Sequence, residues 1–193
     1  MREIRFATTN PGKIASVRSL LARHGVAVLP VKIDLPELQV VDLRVIAAGK
    51  VLAAYAALDN QPVIAQDAGF SMPDWGGFPG PFVKFALQTL GLNGFLTLAK
   101  AGSRRCEFRE CLAYYDASLA EPVLFEGVIP GVLADEPRGQ LLEHHWSELV
   151  LLFIPEGETK TIAEMSLEEL EAWRHKRGQT SAMKFAEWFA SKI

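Results

Sequence analysis

Ile4-Arg5-Phe6-Ala7-Thr8-Thr9-Asn10-Pro11-Gly12-Lys13-Ile14 alternates apolar with other residues as far as Thr8, then turns at Asn10-Pro11-Gly12. Beyond the turn, Ile14, Val17, Leu20 and Leu21 recur at helical spacing. The segment reads as strand, tight turn, helix. Outward from it, Val26 to Val31 reads as a second short strand, and Asp42 can cap a helix whose inward face carries Leu43, Ile46, Lys50, Val51 and Ala54. Pro62 to Ala65 is a short apolar strand leading into Gln66-Asp67. Strands that alternate with helices in this way predict parallel pairing.

The second half is punctuated differently. A loop rich in Gly and Pro, Trp75 to Pro81, precedes two helical stretches, Val83 to Leu90 and Gly94 to Ala101. Arg105 to Tyr115 and Pro122 to Val128 read as a hairpin with a long connection. Ser166 followed by Glu169 fits a capping box, and the helix it starts is interrupted around Gly178 before Ala182 to Ala190 resumes. The expectation is an α/β fold, layered α/β/α around a mixed sheet, in one domain over residues 1–193.

With 193 residues, 49% hydrophobic and 22% charged, the chain can bury one sizeable core. A formal charge of -3 argues against a partner with a long run of phosphates, so no polymeric nucleic acid is expected. The apolar run Val45 to Leu58 contains Lys50 and falls short of the ~20 residues that span a bilayer, so no membrane role is expected. Cys106 and Cys111 sit at an odd separation in one strand and point to opposite faces, which disfavours a disulfide. Together with the charged start Met1-Arg2-Glu3, this leads to the expectation of a reducing, cytoplasmic compartment.

Three groups of residues could carry chemistry. Thr8-Thr9-Asn10-Pro11-Gly12-Lys13 brings backbone N–H groups, two hydroxyls, an amide and an ammonium to a helix start, which is a phosphate cradle in physical terms. Such turns also occur for structural reasons alone, and the segment matches neither a Walker sequence nor a dinucleotide fingerprint. Glu37 and Asp67 are oxygen donors of the kind Mg²⁺ prefers, although singly each also reads as a turn acid. Gly76 to Lys84 opens a helix with a lysine in its first turn, where a cation favours a nearby anion. Lys50 stands out on an otherwise apolar helix face, with snorkelling as its ordinary explanation.

In order along the chain, Thr8-x-Asn10-x-x-Lys13, Ile33-Asp34-Leu35-Pro36-Glu37, Lys50, Asp67, Gly77-x-Pro79-Gly80-Pro81-Phe82-Val83-Lys84, Phe125-x-Gly127, Pro137-Arg138-Gly139, Phe153-x-Pro155-x-Gly157 and Ala163-Glu164-Met165-Ser166 form a series that resembles the Ham1-like inosine triphosphate pyrophosphatases. That resemblance implies an elongated α/β fold with a nucleotide in a cleft between two lobes, Mg²⁺ dependence and a homodimer. It implies hydrolysis of deaminated purine nucleoside triphosphates such as ITP, dITP and XTP to monophosphate and pyrophosphate. It places Thr8, Asn10, Lys13, Lys50 and Lys84 around the triphosphate, with Thr9 in the same cradle, and has Glu37 and Asp67 hold metal or activate water. Asp67, Lys13, Lys50 and Glu37 are the catalytic candidates.

The pattern breaks in three places. Family members commonly carry an acid before the residue matching Asp67, whereas this chain has Gln66. The short aromatic loop that ordinarily contacts the base is replaced by Gln140 to Leu149, which leaves Trp146 as the candidate stacking platform or an ordinary tryptophan. The usual Ser-His-Arg is matched to Arg174-His175-Lys176, which keeps His175 as a substrate contact but puts Lys176 where a forked guanidinium is expected. His144 and His145 point apart and lack a third ligand, so a metal pair there is disfavoured. A weakened relative that only binds nucleotide, a Maf-like pyrophosphatase and a structural subunit with a decayed cleft remain as alternative readings.

Overall fold

The computed structural model describes residues 2–36, 38–142, 145–177 and 179–192. Glu37, His144 and Gly178, on which expectations above fall, lie outside the described residues. Among the described residues the chain runs β1 (Arg2–Ala7), α1 (Pro11–Ala22), β2 (Val26–Val31), α2 (Leu43–Ala57), β3 (Val63–Met72), β4 (Phe78–Gly80), α3 (Val83–Lys100), β5 (Arg105–Tyr115), β6 (Val123–Leu133), β7 (Phe153–Pro155), α4 (Leu167–Lys176) and α5 (Ser181–Ser191). Six strands follow the order β2-β1-β3-β5-β6-β7 and β4 pairs with β3. β1 is parallel to both β2 and β3, while β4 and β7 are antiparallel to their partners, so the sheet is mixed as expected. No helix of the described residues is long and apolar enough to cross a membrane.

The chain divides into two compact units, and β3, β5 and β6 contribute residues to both. The first comprises Met1–Ala68, Glu110–Gly127 and Gln179–Ile193. Here α1 and α5 bury Val17, Leu21, Ala182, Phe185 and Ala186 against Ile4, Phe6, Ile64 and Leu112. α2 buries Ala47, Val51 and Ala54 against Val63, Ala65, Cys111 and Ala113. Alternate residues of each strand thus serve the two clusters, the period-two consequence of the pleat. The unit is layered α/β/α, and α1 begins where expected because the Asn10 side chain accepts from Lys13 N at 3.1 Å.

The second unit comprises Gly69–Arg109 and Val128–Gly178. Its core is aromatic: Phe108 lies 4.9 Å from Phe70 and 4.8 Å from Phe153 between ring centroids. The two predicted helical stretches are both present within α3, where they meet at Gly91, whose φ of 60° and ψ of -176° are not helical. The capping box at Ser166 and Glu169 is formed, and a second one joins Thr161 to Glu164.

One element is longer than the sequence implies. β3 continues seven residues beyond Ala65, through Gln66-Asp67 to Met72, even though Gly69 in its interior brings no side chain to pack. Gly69 is instead a packing requirement, since a Cβ there would lie 2.6 Å from the Gly80 carbonyl oxygen on the paired strand β4.

Both cysteines are free and buried. Burial pushes the Cys111 thiol up to about 12, with the Glu126 carboxylate acting in the same direction, and burial likewise pushes Cys106 upward. Neither thiol forms its reactive thiolate near neutrality. Titration with an aromatic disulfide reagent at pH 8 is therefore expected to find no accessible thiol in the native protein and both after denaturation. In the first unit Phe185 packs on Tyr114, Phe125 and Phe189 at centroid distances of 5.9, 5.6 and 5.3 Å. Phe185→Ala is expected to cost about 3–5 kcal/mol in urea unfolding, from lost burial plus the cavity left behind.

Candidate active site

The candidate residues of the first unit gather where β1 ends, α1 begins and β3 passes beside them. The Thr8 hydroxyl accepts from Asn10 N at 3.2 Å, and Asn10 Oδ1 accepts from Lys13 N at 3.1 Å. Both acceptor oxygens therefore shape the turn, which leaves the Thr8 O–H and the Asn10 amide nitrogen as donors beside the exposed Thr9. These donors, the Gly12 N–H in the first turn of α1 and the Lys13 ammonium form a set suited to an oxyanion. Lys13 Nζ also donates to the Gln66 carbonyl oxygen at 3.0 Å, which ties the turn to β3.

Gln66 and Asp67 are consecutive on β3 and face opposite sides of the sheet. On the α2 side, Lys50 Nζ lies 2.5 Å from Asp67 Oδ1, with only 17% and 13% of the two side chains exposed. This pairing accounts for a lysine on an alanine and valine face: a buried ammonium is tolerated when a carboxylate meets it. On the α5 side, Gln66 Nε2 donates to Glu110 Oε2 at 3.2 Å and to Ser181 Oγ at 3.0 Å. Glu110 Oε1 accepts from Ser181 N at 2.7 Å.

Glu110 and Ser181 are not among the sequence candidates, though Glu110 carries a signal. Along β5 the face Cys106, Phe108, Glu110, Leu112, Tyr114 is apolar except for this one acid. Such an interruption of a buried alternation asks for a partner.

The remaining candidates among the described residues belong to the second unit. Lys84 is exposed in the first turn of α3. Trp146 is 41% exposed and meets Phe108 in a T-shaped contact at 4.2 Å. His175 and Lys176 are exposed in the last turn of α4, and Lys176 borders a cavity of about 320 Å³ with Trp173, Arg177 and Gly157. The structure thus brings Thr8, Asn10, Lys13, Lys50 and Asp67 together within one unit, with Thr9 in the same turn. It places Lys84, Trp146, His175 and Lys176 in the other. Among the described residues, no three His, Cys, Asp or Glu side chains converge as a metal-ligand set.

The model of the Ham1 family matches residues 4–187. The chain belongs to the Ham1 family. Among Ham1 relatives, the dITP/XTP pyrophosphatase of Methanopyrus kandleri is 38% identical over 99% of this chain and 98% of its own length. That of Hyperthermus butylicus is 36% identical over 97% of this chain and 94% of its own. Two solved structures share the fold: a HAM1 protein from Coxiella burnetii has a TM-score of 0.77 at 21% identity, covering 99% of this chain and 98% of that one. The Staphylococcus aureus Ham1 protein has a TM-score of 0.74 at 22% identity, with full coverage of both chains (100%).

In this Ham1 chain, Asn10 serves both the helix cap and the donor set, and the two roles can be separated. Aspartate caps a helix about as well as asparagine but brings a negative charge and no donor. Asn10→Asp is therefore expected to leave the thermal midpoint nearly unchanged while weakening nucleoside triphosphate binding by at least about tenfold, or ~1.4 kcal/mol, measured by titration calorimetry.

Proposed function

We propose that the chain, acting as one Ham1-like domain, is a Mg²⁺-dependent nucleoside triphosphate pyrophosphatase that takes deaminated purines such as ITP, dITP and XTP. The observation that carries this reading is the convergence at β3: the α1 turn with its donors, Lys13 on the Gln66 carbonyl, and Lys50 on Asp67. Full-length relatedness to dITP/XTP pyrophosphatases supports the same substrate class. A homodimer, on the family resemblance, and a cytoplasmic location, on the two free cysteines, belong to the same proposal.

The residues present suit the chemistry. Asp67 offers carboxylate oxygens, the hard donors Mg²⁺ prefers, and Glu37 is the second carboxylate of the proposed site. When bound, Mg²⁺ supplies charge neutralisation for the phosphate oxygens and a template for the attacking water. The Thr8 hydroxyl, the Asn10 amide, the Gly12 N–H and Lys13 hold the phosphate chain and keep the α-phosphorus oriented for attack. Lys13 and Lys50 stabilise charge as it moves onto the departing pyrophosphate, and Lys84 acts on the same chain of phosphates. Asp67 receives the proton of the water or orients it. No covalent nucleophile takes part.

A second reading, a relative that binds nucleotide without turnover, is favoured by one observation. Gln66 carries no charge and both hydrogens of its amide are engaged, so it supplies no anionic donor to a metal. Pyrophosphate release from a panel of inosine, xanthosine, guanosine, adenosine and pyrimidine triphosphates decides between the readings: the pyrophosphatase releases it with Mg²⁺, and the binder is only stabilised thermally. Lys13→Ala and Asp67→Asn are each expected to lower kcat/KM at least about a hundredfold, ~2.7 kcal/mol. Lys13→Ala is expected to change folding stability far less, whereas Asp67→Asn also lowers the thermal midpoint because Lys50 loses its carboxylate. Wild-type rates in both folded variants overturn the site.

Base choice rests on the second unit. Trp146, His175 and Lys176 are the proposed base contacts, and all three side chains are exposed. Discrimination by hydrogen bonding requires buried groups that a wrong base would leave unpaired, and stacking tolerates every base. The preference for ITP and XTP over GTP and ATP is therefore expected to stay below about a hundredfold in kcat/KM. A larger ratio in the same panel shows that the Gln140 to Leu149 segment reads the base.

A further inference from the structure

Gln66, Glu110 and Ser181 form a closed set of hydrogen bonds in which neither Gln66 nor Glu110 is free to change charge alone. One Gln66 amide hydrogen goes to Glu110 Oε2 at 3.2 Å and the other to Ser181 Oγ at 3.0 Å. The second Glu110 oxygen takes the Ser181 N–H at 2.7 Å, which sets a carboxylate on the first turn of α5, where the helix dipole favours it. β6 makes room for this arrangement: a Cβ at Gly127 would lie 2.6 Å from Ser181 N and 2.7 Å from Glu110 Oε1. Gln66 itself is 8% exposed, so water does not substitute for a lost partner.

We infer that positions 66 and 110 share one negative charge, held on Glu110, and that Glu110 is a positioning residue for the proposed reaction. It acts through Gln66. The carbonyl oxygen of Gln66 receives the Lys13 ammonium at 3.0 Å, and the next residue is Asp67, held by Lys50 at 2.5 Å. A side chain at 66 that is pushed from Glu110 rotates the strand segment on which both contacts depend. Two carboxylates at this spacing repel with no donor between them; two amides leave α5 without its charge. One amide and one carboxylate satisfy the set, and they do so with either at position 66.

The inference rests on the pyrophosphatase reading only for its kinetic readout, and the test keeps the two apart. The wild type, Gln66→Glu, Glu110→Gln and the exchange Gln66→Glu/Glu110→Gln are compared in kcat and KM for pyrophosphate release and in thermal midpoint without nucleotide. Each single substitution is expected to lower kcat at least about tenfold with a smaller change in KM, because misalignment is felt most in the transition state. The exchange is expected to recover most of the loss in both kcat and midpoint, the non-additivity that marks direct coupling. Additive losses in the exchange, or wild-type kcat in folded Gln66→Glu, overturn the inference. So does a midpoint that moves while kcat stays constant, since that is a structural role alone. If the wild type releases no pyrophosphate from any triphosphate, the pyrophosphatase reading falls. The shared charge is then decided by the midpoints, which support it if the exchange restores stability and overturn it if the losses add.

Discussion

The phosphate end of the proposed site depends on the pleat of β3 at Gln66-Asp67. Consecutive residues of a strand leave the sheet on opposite faces, so one dipeptide reaches into both helical layers of the first unit. Asp67 meets Lys50 of α2 on one side, while Gln66 meets Glu110 and the start of α5 on the other. The peptide carbonyl between these two side chains accepts from Lys13 of α1. Three helices are thereby referenced to two residues of one strand, and strain in any of them arrives at the same place.

That arrangement sets the electrostatics of the candidate site. Buried charge is tolerated in proportion to how well it is partnered, and both charged side chains beside β3 have partners at hydrogen-bond distance. Lys50 lies on the helix face that carries the small residues Ala47, Val51 and Ala54, and its ammonium meets Asp67. Glu110 is held by an amide and a backbone N–H, neither of which cancels its charge. The result is an acid and a salt bridge on opposite faces of one strand, with a donor-rich turn at its edge.

Much of this is legible in the amino-acid sequence. The strand, turn and helix from Ile4 to Leu21 are written in alternation, an Asn-Pro-Gly turn and a 3.6-residue period, and Asn10 caps the helix as those signals require. Lys50 is conspicuous because it interrupts an apolar helical face, and the fold supplies the carboxylate that such an interruption demands. The continuation of β3 to Met72 is not legible. Gly69 is a weak strand former, and only the approach of the Gly80 carbonyl to within 2.6 Å of a Cβ at 69 shows why glycine belongs there. Glu110 interrupts its face as plainly as Lys50 does, but nothing local says which residue answers it.

By itself the sequence determined the order of elements, the faces they bury and the residues that crowd the turn at Asn10, because periodicity and capping act within a few residues. It also determined family membership, since the ordered motifs run along the whole chain. Only the tertiary structure decided that Gln66 meets a partner 44 residues away in Glu110 and another 115 residues away in Ser181. A strand pattern says which side a residue faces, but which side chain waits there depends on how β5 and α5 are placed against β3. That placement follows from the packing of Phe185, Leu112 and Ile64 in one core, a collective property that no single segment carries.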